Sequence, residues 1–336
     1  MSLSTLPATM QAALVRETNG PFSIAELPLP DVPAGHVLVS IAASGVNPLD
    51  AKIRAGTAAH AKHPLPAILG MDLAGVVVQL GVGVTRFQPG DEVYGLVGGV
   101  GGLQGTLARY AAVDADLLAH KPKTLSMRES AALPLVSITA WEGLVDRART
   151  DAGHQVLVHG GAGGVGSIAI QMARALGAEV FTTVKPAQFD RVRALGATPI
   201  DYTVSTPADY VLEHTADEGF DVVYDTVGGA TLDASFVSVR RYTGHVVSAL
   251  GWGTHALAPL SFRGATYSGV FTLMPMLSGM GRAHHGDILA RVAEWVDAGR
   301  LHPLVDDQRF TLDCASQAHA RMASGRAVGK VVVDVA

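Results

Sequence analysis

The sequence predicts an α/β protein in which a barrel-like β unit is interrupted by an inserted, doubly wound parallel sheet. Three observations carry that expectation. Short β-branched runs closed by turn residues fill the first third, a strand–helix alternation starts near Gln155, and β-like runs return at the C-terminal end. At 336 residues the chain exceeds a single core of ordinary size, so two domains are expected. Hydrophobic residues make up 48% and charged residues 16%, which suits a well-buried globular protein rather than a disordered one.

In the first third, "HVLVSIAASGV" (36–46), "AGVVVQLG" (74–81) and "DEVYGLV" (91–97) read as strands. "GVTRFQPGDEV" sets a Pro-Gly-Asp turn between two of them, as expected in an antiparallel, barrel-like unit. The texture turns helical at "RESAALPLVSITAWEGL" (128–144), which marks a domain boundary. "QVLVHG" is then a wholly apolar short run, the mark of a strand buried on both faces of a parallel sheet. Beyond it Val165, Ile168, Ala169, Met172 and Leu176 recur at helical spacing, and Gly177 supplies a stop. "EVFTTV" (179–184), the helix "FDRVRALGA" (189–197), "FDVVYDTVGG" (220–229) and "GHVVSAL" (244–250) continue the alternation, which implies right-handed crossovers. The helix "GDILARVAEWVDAGRL" (286–301) and the strands "QRFTL" and "GKVVVDV" lead back to the first domain. The expected partition is 1–134 with 275–336 for the outer domain and 135–274 for the inserted one.

Composition also excludes some functions. The net charge is −5 and Lys and Arg are scattered, so there is no footprint for nucleic acid or an anionic membrane. Cys314 is the only cysteine, which rules out an intramolecular disulfide and a thiolate zinc site and fits a reducing compartment. "MSLSTLPATMQAALV" lacks the pattern of a secretory signal, and no apolar stretch reaches transmembrane length. A soluble, cytoplasmic protein is expected.

The spacing Gly161-x-Gly163-x-x-Gly166 would mean little alone in a chain with 38 glycines. Here it follows a buried-strand run, opens a helix and sits in a βαβ unit, the context that a dinucleotide fingerprint requires. Without Cβ atoms the backbone can turn tightly and approach a pyrophosphate, whose charge then meets N–H groups at a helix N-terminus. The alternative is a structural turn without a ligand. At the end of the second strand an NAD site usually places an acid, whereas a 2′-phosphate calls for cations. That strand ends "FTTVKPAQ", with Lys185 after it and no acid before Asp190. NADPH is favoured on this ground; the other reading of Lys185 is a solvated loop lysine.

These residues resemble the medium-chain dehydrogenase/reductase superfamily, in its zinc-free quinone oxidoreductase (zeta-crystallin-like) branch. The likeness runs through nearly the whole chain: "GVNPLDAKIRAG", "LPAILGMDLAGVV", "FQPGDEVYG", "ESAALPLVSITAWEGL", "VLVHGGAGGVGSIAIQMARALGA", "DVVYDTVGG" and "GKVVVDV". It implies a GroES-like β-barrel catalytic domain split around a Rossmann domain, an active site in the cleft between them, NADPH, and usually a homodimer. Where zinc alcohol dehydrogenases carry a Cys and a His-Glu pair, this chain has Asn47 and Met71-Asp72, and the four-cysteine structural zinc loop is absent. No metal is therefore expected, because the Lewis acid has no ligands.

The resemblance implies that Asn47 lies near the nicotinamide ribose with Pro48 beside it, and that Thr139 lies near the cofactor phosphates. It further implies that Gly161, Ala162, Gly163, Gly164, Val165 and Gly166 form the pyrophosphate loop. Tyr202 matches a tyrosine by the adenosine 2′-phosphate, and Lys330 matches the lysine of the terminal "GK". Two departures stand out. The family often has a lysine where this chain has Gln188, with Lys185 one turn earlier as a substitute. The loop "GTAAHAKHPLP" (56–66) lacks the tyrosine that many relatives place near the substrate, leaving His60 or His63 as polar groups there.

The expected chemistry is hydride transfer from NADPH to a quinone or to the C=C of an enone, without metal. Charge gathers on the substrate oxygen and needs a donor: the Asn47 amide, a ribose hydroxyl or water. Asp50 and His60 are candidate proton sources, but Asp50 reads better as a cap of the helix "LDAKIRAG". Trp141 and Trp252 read as core, and Phe271 as part of a strand that relatives continue across a dimer. The alternatives are an alkenal/enone reductase with incidental quinone activity and a non-catalytic NADPH-binding redox sensor.

Overall fold

The computed structural model describes residues 6–336. Two compact units emerge: the chain up to Leu135 with Leu273–Asp297 and Pro303–Ala336, and Val136–Thr272 with Ala298–His302. The short segment Ala298–His302, which the sequence boundaries leave in the outer domain, joins the second unit. Gln171 accounts for this, since its side chain accepts from the His302 N–H at 2.9 Å and donates to the His302 carbonyl at 3.1 Å.

The first unit opens with strands β1 (Thr9–Val15), β2 (Phe22–Pro28) and β3 (His36–Gly45), the last running into helix α1 (Pro48–Arg54). Strands β4 (Ala67–Ile68), β5 (Asp72–Leu80), β6 (Glu92–Leu96), β7 (Tyr110–Asp114) and β8 (Leu118–His120) follow, then helix α2 (Met127–Ala131). β5 begins at Asp72, two residues before the apolar run that announces it, which places that acid on a strand end. β3 is antiparallel to both β5 and β7, and Gly45 faces Asp72 in the β3–β5 register.

Helix α3 (Pro134–Trp141) carries the chain into the second unit. There β9 (Gln155–His159), α4 (Gly164–Ala175), β10 (Glu179–Val184), α5 (Phe189–Ala194) and β11 (Thr198–Asp201) form the first half. Helix α6 (Pro207–Thr215), β12 (Val222–Asp225), α7 (Ala230–Ser238), β13 (His245–Ser248), α8 (Ala258–Arg263) and β14 (Thr266–Gly269) form the second. Among the described residues the sheet order is β11-β10-β9-β12-β13-β14 and every pairing is parallel. This is the doubly wound order whose strand ends form a ligand crevice at the reversal point. One face is sealed by Leu157, Phe181, Phe220, Val223, Phe236 and Val246, all buried, so these strands lack polar alternation.

The chain then returns to the first unit through α9 (Met274–Ser278) and α10 (Arg282–Asp297), then β15 (Phe310–Thr311), α11 (Ala315–Ala323) and β16 (Val332–Asp334). β16 lies antiparallel to β3, with Val332 opposite Gly45. Three aromatic expectations are corrected. Trp252 is 52% exposed rather than core and meets Phe271 edge-on at 6.1 Å, because it sits in the loop after β13 rather than on a strand. Trp141 is half-buried at the end of α3. Phe271 lies two residues past the end of β14, not within it.

Candidate functional site

In the first unit the site is built around Asn47. Gly45, just before it on β3, has no room for a Cβ, which would stand 2.4 Å from the Ala131 carbonyl oxygen and 3.1 Å from Asp72. The close approach of β3 to β5 therefore depends on this glycine. Asn47 is the N-cap of α1 and Pro48 occupies the first helical position, where its missing N–H costs nothing. Asp50, three residues on, accepts from the Asn47 backbone N–H at 2.8 Å and from the Gly70 N–H at 3.2 Å.

The Asn47 side chain, 1% exposed, donates from Nδ2 to Asp72 Oδ2 at 2.9 Å and accepts at Oδ1 from the Lys330 ammonium. Lys330 also donates to Asp72 Oδ2 at 3.3 Å, while Asp72 Oδ1 accepts from the Leu135 N–H at 2.9 Å. Backbone hydrogen bonds hold the segment that carries Lys330: the Val46 N–H donates to the Val331 carbonyl, and the Lys330 N–H donates to the Leu304 carbonyl. Burial pushes the Asp50 carboxyl up to about 7, aided by Asp72 and opposed by the Asn47 and Gly70 amides and Lys330. Burial also raises Asp72, and the Lys330 ammonium and the Asn47 amide pull it back toward the charged form.

Of the residues expected here, the structure brings Asn47, Asp50 and Lys330 into one hydrogen-bonded cluster. Both Asp50 oxygens are engaged by backbone N–H groups, as a helix cap requires. His60 lies half-buried on a short 3-10 turn (Ala59–Ala61). His63 donates from Nε2 to the Ile68 carbonyl at 3.2 Å, and burial lowers its pKa. Asp72 is the residue that sequence reasoning passed over as a site residue; its place at the zinc-ligand position was the available signal.

In the second unit, β9 ends in the turn from Gly160 to Gly163. The Gly161 N–H donates to Thr182 Oγ1 at 3.1 Å, and a Cβ on Gly161 would stand 2.1 Å from that oxygen. A Cβ on Gly166 would stand 2.3 Å from the Gly160 carbonyl oxygen, so loop and helix touch backbone to backbone. Gly163 caps α4, whose first-turn N–H groups have no intrahelical acceptor and make a site for an anion. Ala162 lies in the same turn, and Gly164 and Val165 are the first residues of α4.

Val184 pairs with Asp201, so Lys185 and Tyr202 leave the ends of neighbouring strands side by side. Lys185 is exposed and Tyr202 is 50% exposed. Gln188, at the family's lysine position, spends its side-chain oxygen on the Lys185 N–H at 3.3 Å. Thr139 is buried, and its carbonyl accepts from the Tyr224 hydroxyl at 2.6 Å. Sequence reasoning also missed a buried polar row across the strand ends. Thr183, His159, Asp225 and Ser248 stand opposite one another in register. His159 Nδ1 shares a hydrogen bond with Thr183, and burial lowers the ring's pKa to about 4.

Two family models match the chain. One, described as an alcohol dehydrogenase GroES-like domain, covers residues 33–123, and the other, described as a zinc-binding dehydrogenase, covers residues 195–333. The NADPH-dependent alkenal/one oxidoreductase, chloroplastic, of Arabidopsis thaliana is 34% identical over 98% of this chain and 81% of its own. A crystal structure of an alcohol dehydrogenase superfamily protein from Novosphingobium aromaticivorans is 56% identical with a TM-score of 0.96, covering 98% of this chain and 100% of that one. The quinone oxidoreductase from Coxiella burnetii superposes with a TM-score of 0.82 at 28% identity, covering 98% of this chain and 100% of that one.

Proposed function

We propose a function from one premise: the chain belongs to the medium-chain dehydrogenase/reductase superfamily, in its zinc-free quinone oxidoreductase branch. It is an NADPH-dependent oxidoreductase that transfers hydride to a quinone or an activated alkene. The observation that carries this reading is the glycine cradle, where loop and helix approach within the radius of a missing Cβ. When bound, NADPH supplies the hydride.

In this reading Gly161 to Gly166 and the N-terminus of α4 hold the pyrophosphate, with Thr139 beside it, and Lys185 and Tyr202 meet the 2′-phosphate. Asn47 donates an N–H to the substrate oxygen as charge develops there. Asp50 holds the Asn47 backbone, so proton delivery falls to His60 or to solvent. The donor set does not fit zinc. Asn47 is a neutral amide, Met71 is a buried thioether, and Asp72 is already paired with the Lys330 ammonium. The reaction we assign is accordingly independent of zinc.

The finer assignments are a homodimer formed through the β14 edge and a cytoplasmic setting, the latter supported by the single cysteine. Among the described residues no helix is long and apolar enough to cross a membrane. The likeness to the alkenal/one oxidoreductase favours enones as the better substrates, with quinone reduction incidental. Purified protein mixed with NADPH and a panel of quinones and enones tests the reading through loss of nicotinamide absorbance. Oxidation above background is expected, faster with NADPH than with NADH. Tight NADPH binding without turnover across the panel would instead identify a sensor.

A further inference from the structure

The Asn47 carboxamide is held by charge at both ends. Its oxygen faces the Lys330 ammonium and its nitrogen faces the Asp72 carboxylate. A flipped amide would set oxygen against carboxylate and N–H against ammonium, losing two charge-assisted bonds at once. Only one orientation survives. Lys330 and Asp72 also bond each other, and the Leu135 N–H on Asp72 Oδ1 keeps the carboxylate from rotating. The cluster is therefore a closed triangle with each corner pinned. Of the two Nδ2 hydrogens, one points to Asp72 and the other has no acceptor among the described residues.

Resting on the reading that Asn47 serves the substrate oxygen, we propose that Lys330 and Asp72 are positioning residues. They lock the Asn47 carboxamide so that its remaining N–H is aimed at the oxygen where negative charge gathers. In enone reduction, hydride adds to the β-carbon and the C=C electron pair shifts toward the carbonyl. The oxygen then carries the charge until a proton is taken up. A donor already aimed there costs no reorganisation at that moment, which is the condition for stabilising a developing anion. The ammonium thereby acts where zinc dehydrogenases of the family carry metal ligands, as a fixed cation that orients an amide.

The chain contains only two asparagines, Asn19 and Asn47, and Asn19 is exposed. Protein labelled with 15N-asparagine thus shows two side-chain amide pairs, which makes the lock directly visible. With NADP+ present, 4-nitrophenolate is added in mild base as a mimic of the charged oxygen. One Asn47 proton is expected to move, while its partner on Asp72 and both Asn19 protons stay. If neither Asn47 proton moves, or both move equally, the inference fails.

Kinetics supply a second readout. Lys330→Met and Asp72→Asn should each lower kcat on an enone by about 10²-fold. The Kd for NADPH, read by fluorescence, should stay within about twofold, a split that general loosening of the fold would not produce. Rates within about twofold of wild type in folded variants overturn the proposal. So does weakened NADPH binding confined to Lys330→Met, since that marks Lys330 as a cofactor ligand. Should the variants not fold, the wild-type spectra alone decide. A wild type inert toward every quinone and enone removes the functional reading, and this inference with it.

Discussion

His319 illustrates how one buried side chain ties stability to pH. It is 2% exposed, it packs against Phe22 at 4.6 Å, and neither ring nitrogen has a hydrogen-bond partner among the described residues. Burial, with Arg54 nearby, lowers its pKa to about 4. A lowered histidine pKa means that folding favours the neutral ring, so stability is lost as pH falls from 6.5 through about 4. Asp50 has the opposite sign. Its pKa is raised to about 7, so its contribution is present below 3.8 and lost as pH rises through about 7. Replacing His319 by Phe keeps the ring and removes the titration. Relative to wild type, the variant should gain roughly 2 kcal/mol more at pH 5 than at pH 8, a few degrees in Tm. Equal Tm differences at the two pH values would refute this account. His159, lowered to about 4 as well, leaves part of the acid sensitivity in place.

At the scale of elements, the β9–α4 junction separates two kinds of glycine. A Cβ at Gly166 would drive into the Gly160 carbonyl oxygen at 2.3 Å, a backbone atom that cannot swing aside. At Gly163 the nearest atom, the same oxygen, lies 3.3 Å away. Gly166→Ala should therefore lower Tm and abolish NADPH binding together. Gly163→Ala should lower Tm less than Gly166→Ala and still weaken NADPH by tenfold or more, because in the proposed reading Gly163 caps the helix end that holds the pyrophosphate. Calorimetry and fluorescence titration read the two effects separately, and a Gly163→Ala protein with unchanged NADPH affinity would remove the cradle from its assigned role. Elements were legible where periodicity was strong, as in α4 and β9. Boundaries drifted where one turn carried no apolar signal, as at Arg282–His285, which begin α10 ahead of the apolar run.

For the whole molecule, the sheet of the second unit ends at β14. The Thr266 and Val270 N–H groups turn toward β13, so those of Tyr267 and Gly269 turn away from it. An unpaired edge of this kind is a template for a second copy. Light scattering should find twice the chain's mass at micromolar concentration. Gly269→Pro, which removes one outward N–H, should shift the protein toward monomer without disturbing the β13 pairing. A protein that is monomeric at every concentration would end the dimer assignment.

Local sequence was enough for the order of strands and helices and for the glycine turn between β9 and α4. Each of these depends on spacings of a few residues, which backbone geometry converts directly into structure. The Asn47–Asp72–Lys330 triangle could not be read that way. Lys330 lies 283 residues from Asn47 and 258 from Asp72, and only the docking of β16 on β3 brings them together. The Asp50 pKa and the exposure of Trp252 are of the same kind. Burial is a property of the assembled unit, and the cost of charge depends on what surrounds it in space rather than along the chain.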